Sequence, residues 1–168
     1  MVQDVADDDW LLRPELAAPL EAMERHDLVF DALVLPRHLP RLVQVVDRHP
    51  DLQFVLDHCG KPQLATGDIA AWKDDIASLG ARSNVVCKLS GLATEAAPGW
   101  QVEDLREAVD HALACFGPQR LLWGSDWPHT QFESTQNYAK NRKFLDELVT
   151  DADERARVLA SPRELFRF

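Results

Sequence analysis

The chain is poor in the groups that would give it away at once. Its 168 residues include three cysteines, Cys59, Cys87 and Cys115, odd in number and widely spaced. No Cys-x-x-Cys pair occurs, so no disulfide framework is expected, and a reduced, cytoplasmic setting is the simplest expectation. Positive charge is also scarce. Eighteen Lys and Arg stand against 28 Asp and Glu, for a net charge of −10 at pH 7. Phosphate binding needs a basic face, so nucleic acid and anionic membrane are not expected as partners. No apolar run approaches the ~20 residues that cross a bilayer. The first nine residues carry Asp4, Asp7, Asp8 and Asp9 and no apolar core, unlike a signal peptide. Glycine-rich phosphate loops, a nucleophile elbow and a His-Glu-x-x-His helix are all missing. So are internal repeats and low-complexity linkers.

What remains is ordinary globular material, 46% hydrophobic and 27% charged, of a length that favours one domain. Apolar periodicity alternates along it. Pro14 to Arg25 reads as a helix with Leu16, Leu20 and Met23 on one face. Leu28 to Leu35 is a strand stopped by Pro36. Leu39 to Arg48 is a helix with Leu42, Val43 and Val46 inward, and Leu52 to Asp57 is the next strand. Asp68 is placed to cap a helix reaching Leu79, with Ile69, Trp72 and Ile76 on its buried stripe. Asn84 to Ser90 is a strand, and Val102 to Phe116 a helix broken by Gly117-Pro118. Leu121 to Gly124 is a strand. Ser134 to Val149 and Asp151 to Ala160 are helices, followed by a short helical tail. Met1-Val2-Gln3 reads as a stub of a further strand.

Strand and helix in alternation specify a parallel sheet with right-handed crossovers. Short, continuously apolar strands are those of a sheet covered on both faces. The fold class is therefore α/β, and the expected architecture is a partial (β/α)8 barrel of the last four or five βα units. A whole barrel takes about 250 residues.

Two strands stop at ionisable residues. Phe54-Val55-Leu56-Asp57-His58-Cys59-Gly60-Lys61-Pro62 delivers a His, and Leu121-Leu122-Trp123-Gly124-Ser125-Asp126-Trp127-Pro128 an Asp. Barrel active sites lie at the carboxyl ends of the strands. Alternation along a strand puts Phe54, Leu56 and His58 on one face, and Leu122, Gly124 and Asp126 on one face. Imidazole and carboxylate can share hydrolytic work: one holds a metal or polarises a carbonyl, the other takes a proton from water. The pattern equally permits a buried His bonded to a carbonyl and an Asp capping a turn. Asp57, of opposite parity, is assigned to anchoring the loop.

Lys88 shares a strand face with Val86 and Ser90. A Lys inside a parallel strand is costly unless paired, and it is a candidate for a substrate carboxylate or hydroxyl. Lys61 in its Gly-Lys-Pro loop and Arg37 between Pro36 and Pro40 are further candidate substrate contacts, each also readable as a surface charge. Trp127 is a candidate pocket wall and His129 a candidate overhang. Trp123 has outward parity and is expected to pack on helices. His26, His49 and His111 fall in helices or at their ends.

Val55 to Pro62, Asn84 to Leu92 and Leu122 to Pro128 together resemble the amidohydrolase-2 group of barrel hydrolases, over nearly all of the chain and in the same order. That group includes sugar lactonases and the pyrone-dicarboxylate lactonase. The resemblance implies that His58 ends the sixth strand and Asp126 the eighth. It implies that Asp126 is the general base for water, and that His58 binds a divalent metal (zinc above all) or polarises the lactone carbonyl. Some members work without metal. It also implies that Lys61 and Lys88 line the pocket, and that His58 and Asp126 are the metal-binding residues if a metal is used. The His-x-His that opens family members is absent from this sequence, and about three early strands have no counterpart. The expectation is thus the C-terminal part of a lactonase-like hydrolase, with a small-molecule lactone as substrate and little or no activity in isolation. A missing N-terminal segment, a second polypeptide or a second copy would complete the barrel. Two alternatives stay open: a non-catalytic half-barrel that binds a partner, and a metal-dependent decarboxylase of the related barrel group.

Overall fold

The computed structural model describes residues 2–129 and 138–166. Four strands, β1 (Val29–Ala32), β2 (Gln53–Leu56), β3 (Val85–Leu89) and β4 (Leu121–Trp123), form one sheet in sequence order. Every neighbouring pair is parallel. Helix α1 (Ala17–Arg25) precedes β1. The crossovers carry α2 (Leu39–Arg48), α3 (Ala70–Gly80), then the short α4 (Leu92–Glu95) followed by α5 (Glu103–Phe116). Helices α6 (Tyr138–Leu148) and α7 (Ala152–Phe166) follow β4. This is the part-barrel of four βα units that the alternating pattern predicts.

The two sheet faces are built differently. Register aligns Phe30, Phe54 and Val85 in one row and Ala32, Leu56, Cys87 and Leu121 in another. Both rows belong to the main core beneath the helices. Leu39, Leu42 and Val46 of α2 reach it, as do Trp72, Ile76 and Leu79 of α3. Leu105, Ala108, Val109 and Ala112 recur at the i, i+3, i+4, i+7 spacing that turns one helical stripe inward, and they seat α5 there. On the opposite face, which would line a barrel, the described residues Val55, Val86 and Leu122 form a small apolar cluster, packed with Val29 and with Leu165 from the far end of α7.

Several local expectations need correction. The stub at Met1-Val2-Gln3 is not a strand: Val2–Asp4 is a turn of 3-10 helix, although the Gln3 N–H bonds to the Leu33 carbonyl beside β1. Asp68 does not cap α3, which starts two residues later after Ile69 and has no side-chain cap. The last helix does not stop at Ala160. It continues through Pro162 to Phe166, with Val158 and Ser161 buried and the Ser161 hydroxyl donating to the Arg157 carbonyl. Buried contacts on both sides of Pro162 outweigh its missing N–H. Residues 134–137 of the predicted helix lie outside the described residues. Among those described, no helix is long and apolar enough to cross a membrane.

Candidate active site

Parity along β2 does not carry His58 to its place. The strand ends at Leu56, and Phe54 and Leu56 point to the helices rather than to the barrel face. His58, Cys59, Gly60 and Lys61 then take left-handed backbone conformations, with φ of 50°, 51°, 66° and 55°. For residues with a Cβ this costs roughly 1–2 kcal/mol each, so the surroundings must hold the turn. They do. The Trp72 indole N–H donates to the Cys59 carbonyl at 2.7 Å, and the Lys61 N–H returns to the His58 carbonyl at 2.9 Å. The Cys59 side chain is fully buried, its thiol 3.6 Å from the Lys88 carbonyl. Cys87 lies against it, and the hydrogen bond to that thiol, then burial, pushes the Cys87 thiol well up.

The strained turn aims the imidazole back over the strand ends. His58 Nδ1 is 2.8 Å from the Ser90 hydroxyl just past β3. His58 Nε2 is 3.7 Å from a carboxylate oxygen of Asp126 past β4. Both side chains are largely enclosed. Two glycines make the room. A Cβ on Gly91 would lie 2.7 Å from His58 Nδ1, and one on Gly124 would lie 3.2 Å from Ser90 Cβ. Asp126 also has positive φ, 54°. The Asn141 side-chain amide of α6 donates to the Ser125 carbonyl at 2.9 Å and steadies that loop.

Below this layer lies a charged one that sequence reasoning only half anticipated. Lys88 sits between two carboxylates. Its ammonium pairs with Asp57 and lies 3.1 and 3.3 Å from the two oxygens of Asp31 on β1. Burial alone would lower the Lys88 pKa, but the two carboxylates hold it above its ordinary value. Asp31 is pushed up, chiefly by burial and then by the Asp57 charge, against the pull of Lys88. Asp57, at the start of the loop after β2, pairs across to Lys88 on β3. Asp31 went unremarked in the sequence, though an acid inside a run such as Leu28 to Leu35 carries the same signal as Lys88.

The remaining candidates are dispersed. Lys61 is engaged by Glu95 at 3.1 Å and by the Gln3 side chain at 3.4 Å. Arg37 ties down the N-terminal segment through Asp8 at 2.7 Å and the carbonyls of Gln3 and Val5. Trp127 is 61% exposed. His129 is exposed. Trp123 meets Tyr138 of α6 edge to face, as its outward parity predicts. An apolar cleft lies next to the site, between the ends of β3 and β4 and helices α5 and α6. It is lined by Leu92, Val109, Phe144, Leu145 and Leu148, with Ser90 and Gly124 at its edge.

Metal binding can be judged from the donors. A catalytic zinc usually takes three protein ligands. Among the described residues, no three His, Cys, Asp or Glu side chains converge closely enough to hold an ion. His58 and Asp126 supply two.

A parallel part-barrel thus carries a cluster of His, Ser and Asp side chains above the carboxyl ends of its strands, where barrel enzymes place their active sites. The amidohydrolase family model matches residues 2–168, and the chain belongs to that family. It is 49% identical over 128 residues to an L-fucono-1,5-lactonase of Burkholderia ambifaria, covering 76% of this chain and 44% of the relative. An amidohydrolase from Burkholderia multivorans solved with bound zinc superposes with a TM-score of 0.90 at 35% identity, over 99% of this chain and 62% of that one. A 2-pyrone-4,6-dicarboxylic acid hydrolase structure from Pseudomonas putida superposes with a TM-score of 0.85 at 27% identity, over 99% of this chain and 61% of that one. The chain thus spans less than half of the curated lactonase and under two thirds of the solved relatives.

Proposed function

We propose that this chain carries the water-activating side of a hydrolase that opens a lactone, or a similar cyclic ester of a sugar acid. The observation that carries the reading is the 3.7 Å approach of His58 Nε2 to the Asp126 carboxylate, with Ser90 fixing the other ring nitrogen. With the Ser90 hydroxyl donating to Nδ1, the proton of a neutral imidazole rests on Nε2 and faces the reaction space. Asp126 then accepts a proton from water as the water oxygen attacks the lactone carbonyl carbon. His58 Nε2–H donates to the carbonyl oxygen as negative charge develops there. Collapse breaks the ring C–O bond, and the departing alkoxide takes the proton held by Asp126. Among the described residues, His58 and Asp126 are one protein donor short of the three that a catalytic zinc usually takes, so no step here is routed through a metal. The lactonase relatives and the lactone-acting structural neighbour support the substrate class.

Lactone opening releases acid and can be followed with a pH indicator on the chain and on Asp126→Asn. The chain alone is expected to turn over a sugar 1,5-lactone slowly. Asp126→Asn is expected to lower that rate about 100-fold, or to the uncatalysed background. Turnover above background that Asp126→Asn leaves unchanged would remove the reading.

A further inference from the structure

The layer beneath the reacting groups has a charge of its own. Lys88 is set on β3 two residues before Ser90, and Asp57 immediately before His58, so the Asp57–Lys88 pair adjoins the two residues that make the imidazole–hydroxyl contact. An ideal Cβ on Gly124 would come within 3.5 Å of Lys88 Cδ, which puts the ammonium arm directly under the Asp126 loop. One cation between the carboxylates of Asp57 and Asp31 leaves this floor with a net negative charge. Asp31 stands on the edge strand β1, with its side chain 48% exposed in this chain and its carboxylate held by Lys88.

The other cations near the strand ends do not offset it. Lys61 is taken by Glu95, and Arg37 by Asp8 and two carbonyls. The described residues directly after β4, Gly124 to His129, contain no Lys or Arg. A ligand carboxylate placed over this floor would meet a net repulsion that a hydroxyl would not. Asp31 accepts hydrogen bonds from hydroxyls, and the Lys88 ammonium, with three donors, keeps capacity to give one.

We propose that Asp31 is a specificity-determining residue that, through the Asp31–Lys88–Asp57 layer, selects uncharged, polyhydroxylated lactones and rejects carboxylated ones. The inference rests on the lactone-hydrolase reading and deepens it by naming the substrate class. It is independent of Asp126 as base, because Asp31 acts on which ring settles in the site and not on the water that attacks it.

Binding tests it without any need for turnover. Two probes are titrated into the folded chain and followed by amide NMR: a neutral 6-deoxyhexono-1,5-lactam and pyridine-2,4-dicarboxylate. The unmutated chain is expected to bind the lactam about tenfold more tightly than the dicarboxylate. Asp31→Asn is expected to reduce that preference by about tenfold, mainly by improving dicarboxylate binding, because one unit of nearby charge has gone. A residue that only held the fold would weaken both ligands alike. Asp31→Ser serves as a second variant should Asp31→Asn fail to give a folded spectrum. If the lactam binds and the preference is the same in both variants, the charge-selection inference falls and the lactone reading stands. If the unmutated chain prefers the dicarboxylate, the inference also falls. If it binds neither probe at millimolar concentration, both fall together.

Discussion

The two faces of the sheet do different work with nearly the same residues. Val85 and Val86 are neighbours on β3, yet one points into the helix-covered core and the other toward the barrel axis. On the helix side apolar side chains run the full length of the strands, from Phe54 to Leu56 and from Val85 to Leu89. On the barrel side a single apolar layer, Val55, Val86 and Leu122, gives way upward to Lys88 with Asp31 and Asp57, and then to His58, Ser90 and Asp126. One face holds the fold together. The other, one strand residue out of phase, is freed to carry charge.

Mutation should separate the two. Phe54 is fully buried and tilted against Phe30 with ring centres 5.6 Å apart. Phe54→Ala should cost about 3–5 kcal/mol, read from a urea unfolding curve. A loss below about 1 kcal/mol would mean that the helix face is not the main core. Gly91→Ala, at the rim of the other face, forces a Cβ into a residue with φ of 66° and into the His58 ring. It should cost about 2 kcal/mol and move the His58 imidazole resonances. Unmoved resonances would show that the ring does not rest where Gly91 makes room for it. The smallest and sharpest contrast is Val85→Ala against Val86→Ala. Val85 is fully buried and Val86 is 8% exposed. The first should cost about 2 kcal/mol and the second about 1 kcal/mol, since less is packed over Val86. Equal losses would erase the distinction between the faces.

The strands and helices were largely legible because their signal is local. The apolar stripes of α2 and α5 and the runs ending at Leu56 and Trp123 need only neighbours a few residues apart. Boundaries were less so. Asp68 has the right chemistry for a cap, but α3 begins after Ile69, where the helix can bury Trp72 and Ile76 against the sheet. The approach of His58 and Asp126 was anticipated on wrong grounds. Alternation placed His58 on the face of Leu56, which belongs to the helices, whereas the left-handed turn after Leu56 is what swings the imidazole over the site.

Read alone, the residue order settled which segments would be strands and helices, that the strands would run parallel, and that an imidazole and a carboxylate would leave at strand ends. Those follow from periodicity and chain handedness, which act over a few residues at a time. The tertiary structure alone decided that Phe54 and Leu56 face the helices, so that a turn and not strand parity places His58, and that Ser90 fixes the His58 ring. It also decided that Lys88, Lys61 and Arg37 already have partners. Those depend on carboxylates and hydroxyls brought from segments 29 to 57 residues away, and no local rule reports what the folded chain places beside a charge.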